Sequence, residues 1–333
     1  MIRRPITLFT GQWSDLPLTK VCEIASELGF DGLEIACRPE HLEPSRWRDS
    51  AYVSGRREIL ARHGLGVWTI ANGRSGQATT DDPIDERHRG IVPRHVWGEG
   101  EPERVRARAA KELEDTARMA AALGAKTVVG FTGSPVWKHL AMFPPPSASD
   151  IEYGYELFAQ RWNPILDTFE EQGVRFALEV HPGQIAFDFY TAQQTLKALD
   201  YRESFGFNWD PSHLVWQGLN PEGFLWEFRD RVFHVDAKDT LMRPEDGRSS
   251  ILGSLLPWSD PRRLWAFTTA GHGQVRWREA LHALDGVGSV GPISVEWEDP
   301  AMDRVASARE ALSYLRQLET QRPSVQFDDV LRA

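Results

Sequence analysis

Four short runs end in side chains that can hold a metal ion or move a proton. They are FALEVHP, with Glu179 and His181; FGFNWDPSH, with Asp210 and His213; VFHVDAKD, with His234, Asp236 and Lys238; and PISVEWED, with Glu296. Each run leads with apolar, strand-like residues, so each carboxylate stands where a buried strand ends. Hard divalent cations prefer carboxylate oxygen, with water or an imidazole completing the shell. If Glu179, Asp210, Asp236 and Glu296 share one pocket, unit charges ~4 Å apart repel by about 4 kcal/mol at an effective dielectric near ~20, and a bound cation relieves them. Any one of these acids alone reads equally well as a strand-end cap or an ion-pair partner. The set of four, each behind an apolar run, is what points to one divalent ion: Mn²⁺ first, with Mg²⁺ or Co²⁺ as alternatives.

His181 lies two residues past Glu179, and the period of a strand turns both side chains to one side. An imidazole there suits proton transfer near neutrality, or else ligates or orients. His213 follows Asp210 across Pro211, which turns the chain out of the strand, and is expected to contact the metal, a second ion or the substrate. His234, Asp236 and Lys238 alternate onto one face. Lys238 either holds a carboxylate ligand or stabilises an oxyanion on a polarised sugar carbonyl; a solvated lysine is the plain alternative. We assign proton-transfer and charge-stabilising roles to His181, Glu179, Glu296 and Lys238, and substrate contact to His213, Asn72, Trp13, Arg243 and His272. Of 13 tryptophans, Trp13, Trp68, Trp137, Trp209 and Trp297 fall near strand ends, where indole faces pack against sugar rings, although packing in the core explains any single one as well.

Residues this far apart need a scaffold that gathers strand ends. ITLFTGQW (6–13) reads as a strand, and the segment 18–30 as an amphipathic helix closed by Gly29. The unit repeats through strands at 32–37, 64–73 and 126–133 and then through the four runs above. Helices are expected near 45–63, 103–123, 153–172, 191–199, 220–229, 275–285 and 301–318. Alternation of this kind implies parallel strands with right-handed crossovers, and eight units favour a closed (β/α)₈ TIM barrel over an open sheet. No Gly-rich dinucleotide fingerprint follows the first strand. Long loops at 74–102, after strand 3, and 240–274, after strand 7, belong on the same face as the carboxylates; Arg243, Arg248, Trp258, Arg262, Arg263 and His272 would close over a ligand there. The barrel is assigned to 1–320 and a tail to 321–333.

The chain has 333 residues, 41% hydrophobic and 26% charged, ordinary values for one folded barrel. Its net charge of −10 disfavours nucleic acid as a partner and leaves a small molecule as the expected one. Cys22 and Cys37 are too few for a disulfide framework or a thiolate site and read as packing residues in a reducing compartment. The opening MIRRPITLFTG has no long apolar stretch and no later run approaches a membrane span, so a cytoplasmic location without membrane contact is expected.

At these residues the sequence resembles the xylose isomerase-like sugar isomerase/epimerase superfamily of TIM barrels, most specifically in LEVHP, NWDPSHL, HVDAKD and SVEWED. The resemblance implies Glu179, Asp210, Asp236 and Glu296 as ligands of one divalent metal and His213 as a substrate or second-ion contact. Epimerases of this kind carry a second histidine where this chain has Asp236, whereas xylose isomerases carry an aspartate in a similar stretch. His234 is the alternative third ligand. Those isomerases also carry a catalytic lysine where this chain has His181. The implied activity is isomerisation or epimerisation of a sugar by proton removal next to a carbonyl through a metal-stabilised enediolate. The alternative is a metal-dependent lyase, dehydratase or deglycosidase acting on 3-keto-glycosides. The expected partner is a carbohydrate or keto-glycoside, in a homo-oligomer or, for the lyase reading, a complex with a small subunit. A multi-zinc nuclease lacks its many histidine ligands here, and a non-catalytic barrel would leave the ligand set unexplained.

Overall fold

The computed structural model describes residues 4–139, 143–243, 248–253, 255–289, 291–318 and 331–332. Eight parallel strands close a barrel: β1 (Ile6–Phe9), β2 (Gly32–Ala36), β3 (Gly66–Ala71), β4 (Thr127–Gly130), β5 (Arg175–Glu179), β6 (Phe205–Trp209), β7 (Val232–Ala237) and, after a hairpin of β8 (Asp239–Met242) and β9 (Trp265–Thr268), β10 (Ile293–Val295). Neighbours around the ring are neighbours in sequence, and β10 returns to β1 with Ile6 opposite Ile293 and Leu8 opposite Val295. This is the expected (β/α)₈ TIM barrel. The tail assigned to 321–333 lies outside the described residues apart from Leu331 and Arg332.

Alternation along the strands sorts the side chains into two environments. Phe176, Phe205 and Phe207 face the helix layer: Phe176 and Phe205 pack against Phe158, Trp162 and Phe169 of the helix Ala148–Gln172, and Phe207 against Phe224 and Phe228. The barrel interior instead carries polar groups: Thr7, Glu34, Thr69, Asn208, His234, Asp236 and Ser294 are all buried. Such groups tolerate burial only when paired, as Thr7 and Ser294 are through hydroxyls 2.6 Å apart. The first amphipathic helix, Leu18–Leu28, ends as expected at Gly29, whose φ of +92° is a left-handed conformation that a side chain would strain.

Two expected loops have structure of their own. The segment after β3 holds short helices at Gly73–Gln77, Glu86–Arg89 and Arg94–Trp97. The segment after β7 opens and closes on the antiparallel pair of β8 and β9, with Asp239 opposite Thr268 and Met242 opposite Trp265. The helix Gly73–Gln77 lies hard against the segment after β4: a Cβ on Gly76 would meet the Phe131 carbonyl oxygen at 1.9 Å. Backbone cannot yield there as a side chain would. Gly76→Ala is therefore expected to cost about 1–3 kcal/mol in urea unfolding, and an unchanged midpoint would refute the close approach.

Candidate metal centre

The carboxylates meet at the C-terminal mouth of the barrel. Glu179 ends β5, Asp236 is the last inward residue of β7, and Glu296 follows β10; an oxygen from each lies within 4.8 Å of the others. Asp210 follows β6 and caps the helix Pro211–Trp216, its Oδ1 accepting the Ser212 N–H at 2.9 Å, so Pro211 does turn the chain as expected. That cap leaves Asp210 Oδ2 facing inward, 3.0 Å from Lys238 Nζ and 3.4 Å from His213 Nε2. Lys238 Nζ also lies 2.7 Å from Glu296 Oε2, 3.2 Å from Glu298 Oε2 and 3.8 Å from Glu179 Oε1. One ammonium thus stands at the centre of the acids.

The donor set fits a divalent cation. Asp210 Oδ2 and Asp236 Oδ1 are buried without a well-angled hydrogen bond, although cations lie near both, and unsatisfied buried oxygens aimed into an acidic cluster are what an ion would complete. The electrostatics agree. Burial and the charge of Glu34 push the Asp236 carboxyl up to about 7, and burial together with Glu298 pushes Glu296 well above the usual range despite Lys238.

Hydrogen bonds settle the tautomers of the two mouth histidines. His181 Nδ1 lies 2.7 Å from the Pro182 carbonyl, which only accepts, so Nδ1 carries the proton and Nε2 keeps its lone pair. His213 Nδ1 accepts the Trp216 indole N–H at 3.4 Å, so the proton is on Nε2, which lies 3.0 Å from Glu179 Oε1 and 3.4 Å from Asp210 Oδ2. The rings stack with centroids 4.6 Å apart. Burial, joined by the neighbouring His213, lowers His181 to about 4, and burial lowers His213 to about 3, so both are neutral near pH 7. A neutral imidazole with a free Nε2 beside the acids is equipped to take a proton.

A family model described as a xylose isomerase-like TIM barrel matches residues 22–318. The chain belongs to the xylose isomerase-like TIM barrel family. It is 30% identical over 336 residues to the uncharacterised protein YfiH of Bacillus subtilis (strain 168), covering 95% of this chain and 99% of that one. Among solved structures it is similar to 3-keto-D-glucoside 4-epimerase YcjR from E. coli in its apo form (TM-score 0.67, 16% identity, covering 95% of this chain and 100% of that one). It is also similar to the probable 3-DHS dehydratase AsbF from Bacillus anthracis (TM-score 0.66, 15% identity, covering 94% and 98%).

Beneath the mouth of this xylose isomerase-like barrel lies a second layer that spacing alone did not expose. His234 Nε2 is 2.6 Å from Glu34 Oε2 of β2 and 3.3 Å from Asp236 Oδ1, and its Nδ1 is 3.1 Å from Thr69 Oγ1. Burial opposes a charge on this ring, but Glu34 and Asp236 override it and push the imidazolium pKa up to about 10. Asn208 donates to Asp236 Oδ2 at 2.6 Å, and Gln12 donates to Glu296 Oε1 at 2.8 Å. His234 therefore holds Asp236 in place from below, although Glu34, His234 and Asp236 also present atoms near enough to share an ion themselves. Gln12, Glu34, Asn208 and Glu298 are the site residues missed from sequence. Glu34, an acid in the apolar run GLEIAC, carried a readable signal.

Several expected substrate contacts lie elsewhere. The turn Gly11–Trp13 buries the Trp13 indole in the core beneath the Arg304 guanidinium and leaves its neighbour Gln12 facing the site. Asn72 is buried and spends its amide on Thr116 at 2.8 Å. Arg243 donates to the Pro261 carbonyl at 3.0 Å and ties its own loop, while His272 pairs with Glu310 of the last helix at 3.1 Å. Trp68 stands near the start of β3, its ring against Gly32 and Gly66, so it covers the opposite end of the barrel. Trp209 is buried and donates to the Pro221 carbonyl; Trp297 donates to the Met302 carbonyl. The aromatic wall is built instead from Phe131, His181, His213, Phe267 and Trp258, each ring touching the next at centroid distances of 4.6–5.7 Å.

Proposed function

We propose that the protein is a divalent-metal-dependent sugar isomerase or epimerase. The observation that carries this reading is the meeting of Glu179, Asp236 and Glu296 within 4.8 Å beside a neutral His181 whose Nε2 is free. A divalent ion, Mn²⁺ or else Mg²⁺ or Co²⁺, held by Glu179, Asp210, Asp236 and Glu296 would supply Lewis acidity to the adjacent oxygens of a hydroxy-ketone. His181 Nε2 is the group placed to take the proton from the carbon next to the carbonyl, giving an enediolate. The His181 imidazolium then carries the proton that is returned to another carbon, with Glu179 and Glu296 the carboxylates close enough to take part in that transfer and His213 Nε2 3.0 Å from Glu179 Oε1. The likeness to YcjR, an epimerase of a keto-glucoside, supports this assignment.

The likeness to the dehydratase AsbF favours a second reading, in which the same proton removal expels a leaving group; a small partner subunit belongs to that reading as an expectation of the sequence alone. Incubation in D₂O with Mn²⁺, free ketoses or 3-keto-glycosides, and co-purifying proteins retained separates the two. Deuterium entering recovered sugar supports the isomerase, and an accumulating unsaturated or cleaved product supports the lyase. No exchange with any substrate, and no metal in the purified protein, would end both.

A further inference from the structure

We infer that Lys238 is the built-in counter-cation of the metal-free site and that a divalent ion binds by displacing it. The inference rests on the metal reading above. Lys238 is 2% exposed, and four carboxylates, of Glu296, Asp210, Glu298 and Glu179, stand within 3.8 Å of its Nζ. Its Nζ stands 2.7 Å from Glu296 Oε2 and 3.0 Å from Asp210 Oδ2, and the Phe267 ring backs it at 4.6 Å. Glu296 and Asp210 are ligands in the metal reading, so ammonium and ion draw on the same inward lone pairs. Two cations crowded onto the same oxygens repel. Asp236 does not depend on Lys238, because His234 and Asn208 answer its charge. The remaining acids would face one another uncompensated if neither cation were present.

The structure also offers the ammonium a way out. Glu298, its fourth partner at 3.2 Å, is 37% exposed in its side chain and stands at the rim, whereas Glu179, Asp210 and Glu296 are buried. A lysine following Glu298 outward keeps one carboxylate partner and releases the others. The chain can then fold before metal arrives, and loading becomes an exchange of one cation for another.

Lys238→Met and Lys238→Arg test this on the full chain, using Mn²⁺ as the probe with calorimetric titration and thermal unfolding. Without metal, Lys238→Met is expected to melt roughly 5–10 °C below wild type, and to bind Mn²⁺ at least about tenfold more tightly because no ammonium must be displaced. Lys238→Arg keeps the charge and should stay near wild type in metal-free melting, with no gain in Mn²⁺ affinity. If Lys238→Met folds only when refolded in Mn²⁺ while Lys238→Arg folds without it, the inference also stands. Mn²⁺ affinities of wild type and Lys238→Met that coincide, or Met and Arg variants that behave alike, would overturn this inference and leave the metal reading intact. Wild-type protein whose melting ignores Mn²⁺, Mg²⁺ and Co²⁺ would overturn both.

Discussion

Glu296→Gln is expected to lower kcat by about 10²–10⁴-fold, the range for losing a group that acts in proton transfer, and to lower bound metal as well. The reason lies in how both oxygens are used. Oε1 accepts from Gln12 at 2.8 Å and Oε2 from Lys238 at 2.7 Å. An amide of the same shape removes the negative charge and turns an N–H₂ toward one of two donors, so the loss is electrostatic and geometric at once. Glu179→Gln should act similarly, since Glu179 Oε1 lies 3.0 Å from His213 Nε2 and 3.8 Å from Lys238 Nζ. Turnover at saturating Mn²⁺ and elemental analysis of each purified variant provide the check. A variant that keeps both its metal and its rate would remove that residue from the centre.

The second large effect is on stability. Glu34→Ala removes the strongest partner of a buried imidazolium, leaving His234 with Asp236 at 3.3 Å and the Thr69 hydroxyl. Breaking a buried pair from one side typically costs about 3–5 kcal/mol. Glu34→Gln should cost less, because the amide oxygen still accepts from His234 Nε2. The ordering Ala below Gln below wild type in urea midpoints is the expected result. A variant with Ala at 34 as stable as wild type would show that the interior triad contributes nothing to holding the barrel.

Much of this site was legible because a carboxylate at the end of an apolar run is an unusual residue to bury. That signal singled out Glu179, Asp210, Asp236 and Glu296, and period-two alternation put His181 on the side of Glu179 and Lys238 on that of Asp236. It left open whether Lys238 holds a carboxylate or reaches into solvent, since a strand's period gives direction and a flexible four-carbon stem decides reach. The tryptophans were harder for a related reason. Proximity to a strand end does not say which end or which side: Trp68 covers the start of β3, and the turn at Gly11–Trp13 exchanges the roles of Trp13 and Gln12. The hairpin of β8 and β9 escaped because its strands are joined through a long excursion, from Met242 to Trp265, with no tight-turn signature between them. His272 went astray because its partner, Glu310, belongs to the last helix.

The seam between β1 and β10 governs how this molecule comes into being. Thr7 and Ser294 touch across 287 positions, so the ring stays open until β10 has been made on the ribosome. Glu296 emerges after the other acids, only one residue beyond the strand that seals the ring. A nascent or truncated chain ending before Ile293 would have neither the full acidic set nor its closing stave, and would offer the bare flanks of β1 and β7 to any passing strand. Closure of the ring and assembly of the acidic set therefore arrive together.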